Sequence, residues 1–109
     1  IAVVSSPAAA ERQGMSWQIK QVDSEAGVVT LDCPALDWDT FPLLAQALLR
    51  EWELQPLEQD AGADRHSWLL EFEGSQFRLE YEHYSGCWLE AVRPADREAL
   101  LWLARQHKA

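Results

Sequence analysis

The side chains best equipped for chemistry are the thiols of Cys33 and Cys87 and the imidazole of His83. Three such nitrogen and sulfur donors suit zinc, and a thiol beside an imidazole pairs a nucleophile with its base. Both readings are weak on spacing. Zinc motifs hold their ligands closer together than positions 33, 83 and 87 allow, and alternation along the chain turns His83 and Cys87 inward, away from any substrate. The expectation is packed thiols and a hydrogen-bonded histidine, with no catalytic residue, no metal and no cofactor. The chain also lacks a glycine-rich phosphate loop and a His-x-x-x-His pair.

Carboxylates are the more abundant functional group. Eighteen Asp and Glu oppose nine Lys and Arg, a formal net charge of −9. That field repels nucleic-acid backbones and anionic membrane surfaces and attracts a basic protein or peptide. The plainer reading is that the charge keeps the protein soluble. No apolar run approaches the roughly 20 residues that span a bilayer. With no C-x-x-C pair, Cys33 and Cys87 read as buried free thiols of a cytoplasmic protein.

The elements that position these groups follow from periodicity. Trp17 to Val22 alternates as a half-buried strand, Asp23–Gly27 is a turn, and Val28 to Cys33 is a second strand ended by Pro34. Facing Val22 with Val28 and Ile19 with Leu31 puts Trp17, Ile19, Val29, Leu31 and Cys33 on one side. Phe41, Leu44, Ala45, Leu48 and Trp52 form the apolar stripe of a helix over about 40–54. Asp39 or Thr40 can cap it; with Asp39 as the cap, Trp38 and Leu43 take the two positions of a hydrophobic staple, and an exposed Trp38 would instead be an anchor. Residues 55–65 read as a polar, mobile loop.

Three strands then run in succession. A two-residue turn at Gly74-Ser75 pairs Phe72 with Phe77, Leu70 with Leu79 and Trp68 with Tyr81. A three-residue loop, Tyr84-Ser85-Gly86, pairs His83 with Cys87 and Tyr81 with Leu89. Pro94 to about His107 is a closing helix with Leu100, Leu103 and Ala104 inward. The order is β-β-α-β-β-β-α. The fold class is α+β, a two-layer sandwich with a mainly antiparallel five-stranded sheet and both helices on one face. Residues 15–109 form a single domain; residues 1–14 read as a leader, an expression remnant or a tail, with Met15 a natural start.

That arrangement leaves one sheet face bare. It carries Glu71, Glu73, Glu80, Glu82 and Glu90 around Trp88, with Arg78 among them. The expected pairing sets Glu80 opposite Glu90 and Trp88 opposite Glu82. The bland reading is a solvated face whose acids discourage aggregation. The functional reading is a docking surface for a Lys- or Arg-bearing partner, with Trp88 as anchor.

Two segments carry a resemblance: Trp38-Asp39-Thr40-Phe41-Pro42 leading into the Leu-rich helix, and Gly86-Cys87-Trp88-Leu89-Glu90 in the last strand. With them, residues 15–109 resemble a small gamma-proteobacterial family classed as a domain of unknown function. The resemblance implies no activity, and no site residue carries over. The leading expectation is a small acidic protein-interaction module (an adaptor, inhibitor or regulator) acting through Glu71, Glu73, Glu80, Glu82, Trp88 and Glu90. A homodimer is compatible with it. The alternative is a small-ligand-binding protein or an enzyme with a pocket near the 55–65 loop.

Overall fold

A computed structural model describes residues 16–107, so the reading of residues 1–14 lies outside the described residues. The first hairpin is β1 (Gln18–Asp23) and β2 (Val28–Asp32). Its turn is shaped by Asp23. The Asp23 carboxylate accepts from Ala26 N at 3.1 Å and its carbonyl from Gly27 N at 2.9 Å, with Gly27 at φ +72°. Ile19 faces Leu31 as expected, but a bulge between Ile19 and Gln21 shifts the rest by one, so Val22 faces Val29. An extra residue on one strand of an antiparallel pair does this.

Before the first helix, Asp37 and Thr40 lock together. Asp37 N donates to Thr40 Oγ1 at 2.8 Å, and Thr40 N donates to Asp37 Oδ1 at 2.9 Å. Thr40 Oγ1 also donates to Asp37 Oδ1 at 3.0 Å, and the bond from Thr40 N together with this one holds the Asp37 carboxyl below its usual range. Helix α1 (Phe41–Trp52) buries Phe41, Leu44, Ala45, Leu48, Leu49 and Trp52, and closes on Glu53 in the left-handed conformation. The proposed staple does not form. Leu43 is half exposed, while the Trp38 ring packs against His66 at 4.6 Å, tilted by 32°, and its Nε1 donates to Gly62 O at 2.9 Å.

The expected 55–65 loop is corrected next. Gln55–Ala61 is a strand, β3, antiparallel to β4 (Arg65–Phe72), so the sheet has six strands rather than five. Every β3 side chain is exposed, and a bulge between Pro56 and Glu58 breaks its alternation. Both features hide a strand from a periodicity search. Proline is tolerated on an edge strand, where half the backbone groups face water.

β5 (Ser75–Glu82) and β6 (Gly86–Ala91) complete the sheet. A 3-10 turn, Pro94–Asp96, leads into helix α2 (Arg97–Gln106). The order across the sheet is β1-β2-β6-β5-β4-β3, every pairing antiparallel. The α1 crossover carries the chain from β2 to the far edge, and the meander returns until β6 docks beside β2. Both helices lie on one face, over a single core in which Val29, Phe41, Leu44, Leu48, Leu70, Phe77, Leu79, Leu89 and Leu100 are wholly buried. Each such large side chain stabilises the fold by roughly 1.5–3 kcal/mol.

The two hairpin registers differ from expectation by two residues each. The β4–β5 turn is Glu73-Gly74, at φ +49° and +91°, not Gly74-Ser75. It pairs Phe72 with Ser75, Leu70 with Phe77 and Trp68 with Leu79. In the next hairpin the loop is His83-Tyr84-Ser85. Glu82 pairs with Gly86, Tyr81 with Cys87 and Leu79 with Leu89. A slip of two leaves the side chains that stay within the strands on their expected faces, because strand periodicity is two; alternation alone therefore cannot detect it. The ends of the described chain meet across the core, where the Trp17 ring stacks on His107 at 4.1 Å, 6° from parallel.

Candidate functional site

The bare sheet face is built in cross-strand rows. One row runs Thr30, Trp88, Glu80, Ser67, Asp60; the next runs Val28, Glu90, Arg78, Leu69, Glu58. The register correction therefore removes the expected Glu80–Glu90 and Glu82–Trp88 pairs. Glu80 faces Trp88, and Glu90 faces Arg78. Opposite charges replace like charges, the stabilising combination for directly opposed residues.

Glu71, Glu80, Glu82, Trp88 and Glu90 all lie on this face, at β4, β5 and β6 positions. Glu73 does not. It occupies the β4–β5 turn, where the left-handed backbone takes it off the sheet. Trp88 is half-buried between its neighbours rather than standing free. Two of the carboxylates have partners on the protein: Ser67 Oγ donates to Glu80 at 2.7 Å, and Ser85 Oγ to Glu82 at 2.6 Å.

The extra strand enlarges the face. Glu58 and Asp60 of β3 join it through the β3–β4 register, beside Arg65 and Ser67 of β4. Across β3 to β6 the face then presents six carboxylates against the two guanidiniums of Arg65 and Arg78. A hollow of about 520 Å³ lies there, lined by Glu58, Gln59, Asp60, Arg65, Ser67, Arg78 and Glu80. The signal for β3 was Gly62-Ala63-Asp64, a turn sequence just ahead of β4, closed by Gly62 N donating to Arg65 O at 2.9 Å.

The thiol and imidazole set does not assemble. Cys33 and Cys87 are both buried as free thiols, but His83 sits exposed in the β5–β6 loop beside Tyr84, their rings 4.6 Å apart. The pairing partner of Cys87 is Tyr81. His83 is therefore neither inward nor paired with the thiol, contrary to expectation, because the loop begins one residue earlier. Burial pushes the Cys87 thiol far up and raises Cys33 as well, which suppresses the reactive thiolate at neutral pH. Among the described residues no three His, Cys, Asp or Glu side chains gather to hold a metal.

The inward histidine is His66, 5% exposed. It lies between the rings of Phe41 and Trp38, each 4.6 Å away, and its Nε2 bonds to Trp38 O at 2.9 Å. Parity with Trp68 and Leu70 along the same strand was the available signal. Its contacts are those of a core residue holding the Trp38 segment to the sheet. No described helix is long and apolar enough to cross a membrane.

Residues 17–108 match the model of a family described as "Protein of unknown function (DUF3630)". Comparison with curated proteins and with solved structures found no match.

Proposed function

The chain belongs to the DUF3630 family, and from its own surfaces we propose that it is an interaction module that captures a basic protein segment on the bare face of its sheet. One observation carries the proposal. The helices cover only one side, and across β3 to β6 the other presents six carboxylates against two guanidiniums, with the half-buried ring of Trp88 among them. Such a face steers a cationic partner and supplies an aromatic surface for a Lys or Arg stem. Two buried, unreactive thiols suit a reducing compartment, so the cytoplasm is the proposed location. The hollow on this face is open, and its carboxylates are exposed or only half-buried, which favours binding over acid–base catalysis.

The test is a titration of isotope-labelled protein with an alternating Lys/Arg octapeptide, following the Trp88 indole by NMR. Shifts centred on Trp88, Glu80 and Glu90 are expected, weakening as salt rises. Trp88→Ala and Glu90→Lys should each weaken binding by about fivefold or more. Unchanged affinity in both variants, with the fold intact, refutes the assignment.

A further inference from the structure

A second site lies on the other side of the molecule, where α1 ends, α2 ends and the β4–β5 turn folds over. These three segments enclose a cleft of about 570 Å³, lined by Glu51, Trp52, Glu53, Phe72, Glu73, Trp102, Leu103, Gln106 and His107. That volume is in the range of small-molecule sites. We propose that this cleft binds an organic cation: an ammonium or guanidinium group carried on an alkyl chain. The proposal is independent of the sheet-face reading, since the two sites share no residue.

The walls are aromatic and apolar. Trp102 is 47% exposed, yet its ring is held by stacking on Phe72 at 6.2 Å and 24°. Trp52 and Leu103 complete the apolar part. An indole face held open to solvent is the strongest side-chain acceptor for a cation.

The rim is anionic. Glu51, Glu53 and Glu73 stand around the opening, and among the described residues neither Lys nor Arg lines it. Both helices point their C-terminal, negative ends here. Glu51 and Glu53 therefore sit where a helix disfavours acids. His107, whose Nδ1 lies 3.8 Å from Glu51 Oε1, is fixed by its stack on Trp17. A cation entering the cleft meets three carboxylates, two helix ends and an indole face at once.

Two of these glutamates also oppose their own backbone. Among the described residues, the non-glycine residues at positive φ are Glu53 (+56°) and Glu73 (+49°), and both line this cleft. Glycine is the usual occupant of the first position, and asparagine or glycine of the second. Residues kept against local preference at a cleft fit a binding role better than a folding role.

The test uses N-acetyl-arginine amide, agmatine and the neutral isostere N-acetyl-citrulline amide, titrated into the full chain while the Trp102 and Trp52 indole signals are followed by NMR. Saturable shifts at these indoles with a guanidinium probe, and none with the citrulline analogue, are expected. Response to the arginine amide alone identifies a basic side chain as the ligand; response to agmatine alone identifies a free small cation. Glu53→Gly and Glu73→Asn should each weaken binding about tenfold while holding or raising the thermal midpoint. Trp102→Leu should weaken it about fivefold. Equal shifts with the citrulline analogue, no shift with either cation at millimolar concentration, or unchanged affinity in both glutamate variants would overturn the proposal. Shifts confined to Trp88 would overturn it too, while leaving the sheet-face reading standing.

Discussion

Replacing Asp96 with asparagine tests how the β4–β5 turn is held in place. Asp96 is 2% exposed and accepts three hydrogen bonds from Arg93: from the backbone N at 3.1 Å, Nε at 2.9 Å and Nη2 at 3.0 Å. Arg93 Nη2 also donates to Gly74 O at 3.0 Å, so this ion pair ties the start of α2 to the turn that carries Glu73. An asparagine keeps one oxygen acceptor but loses the charge and the two-pronged grip. Breaking a fully buried pair costs about 3–5 kcal/mol. The Arg93 side chain is 54% exposed and can rehydrate, so the expected loss is smaller, about 2 kcal/mol. For a domain of this size that lowers the thermal midpoint by about 8–16 °C.

The pH dependence gives the sharper check. The Arg93 hydrogen bonds hold the Asp96 carboxyl below its usual range. Its stabilisation is therefore complete above the unfolded value of about 3.9 and is lost as pH falls through the lower, folded value. Urea melts of Asp96→Asn and the parent chain should differ fully at pH 6 and begin to converge only as pH falls below about 4. A gap that stays constant down to the lowest pH at which both still fold refutes the assignment of the stability to the ionised pair.

Other outcomes follow from buried groups. Neither Cys33 nor Cys87 should react with a thiol reagent at pH 7.5 until urea unfolds the chain, because burial raises both thiols; rapid labelling of the native protein would contradict this. Gly27→Ala should destabilise by about 1–2 kcal/mol in urea melts, since φ is +72° and an added Cβ would lie 2.6 Å from Arg97 Cγ. Phe41→Ala should cost about 3–5 kcal/mol, because the wholly buried Phe41 ring stacks on His66 and meets Trp68 and Tyr81; a loss under 1 kcal/mol would be inconsistent with that packing.

Side-chain facing was readable because it needs only parity. Trp68, Leu70, Phe77, Leu79 and Leu89 alternate with acids, and that contrast places Glu71, Glu80, Glu82 and Glu90 on the outer face whatever the register. Pairing needs the turn type as well. A glutamate at φ +49° ahead of Gly74 is a poor advertisement for the turn it makes, so the Gly-Ser pair was the better local match and the register moved by two. β3 stayed hidden because every one of its side chains is exposed and Pro56 precedes a bulge. The cleft was invisible for a different reason. Residues 51–53, 72–73 and 102–107 meet only through tertiary packing, and no local pattern links them.

The stack of Trp17 on His107 brings the two ends of the described fold to one place. Joining them with a short glycine-serine bridge and reopening the chain at the exposed Tyr84 loop should yield a circular permutant with the same sheet. In that rearranged chain, β6 and α2 precede β1 and β2, while β5 moves to the opposite end of the sequence from its partner β6. The separation between β2 and β6 shortens, but the β5–β6 pairing becomes the longest-range contact of the sheet, and folding should slow accordingly. The same adjacency makes residues 16–107 suited to insertion as a cassette into a surface loop of a host protein, with both junctions leaving from a single point.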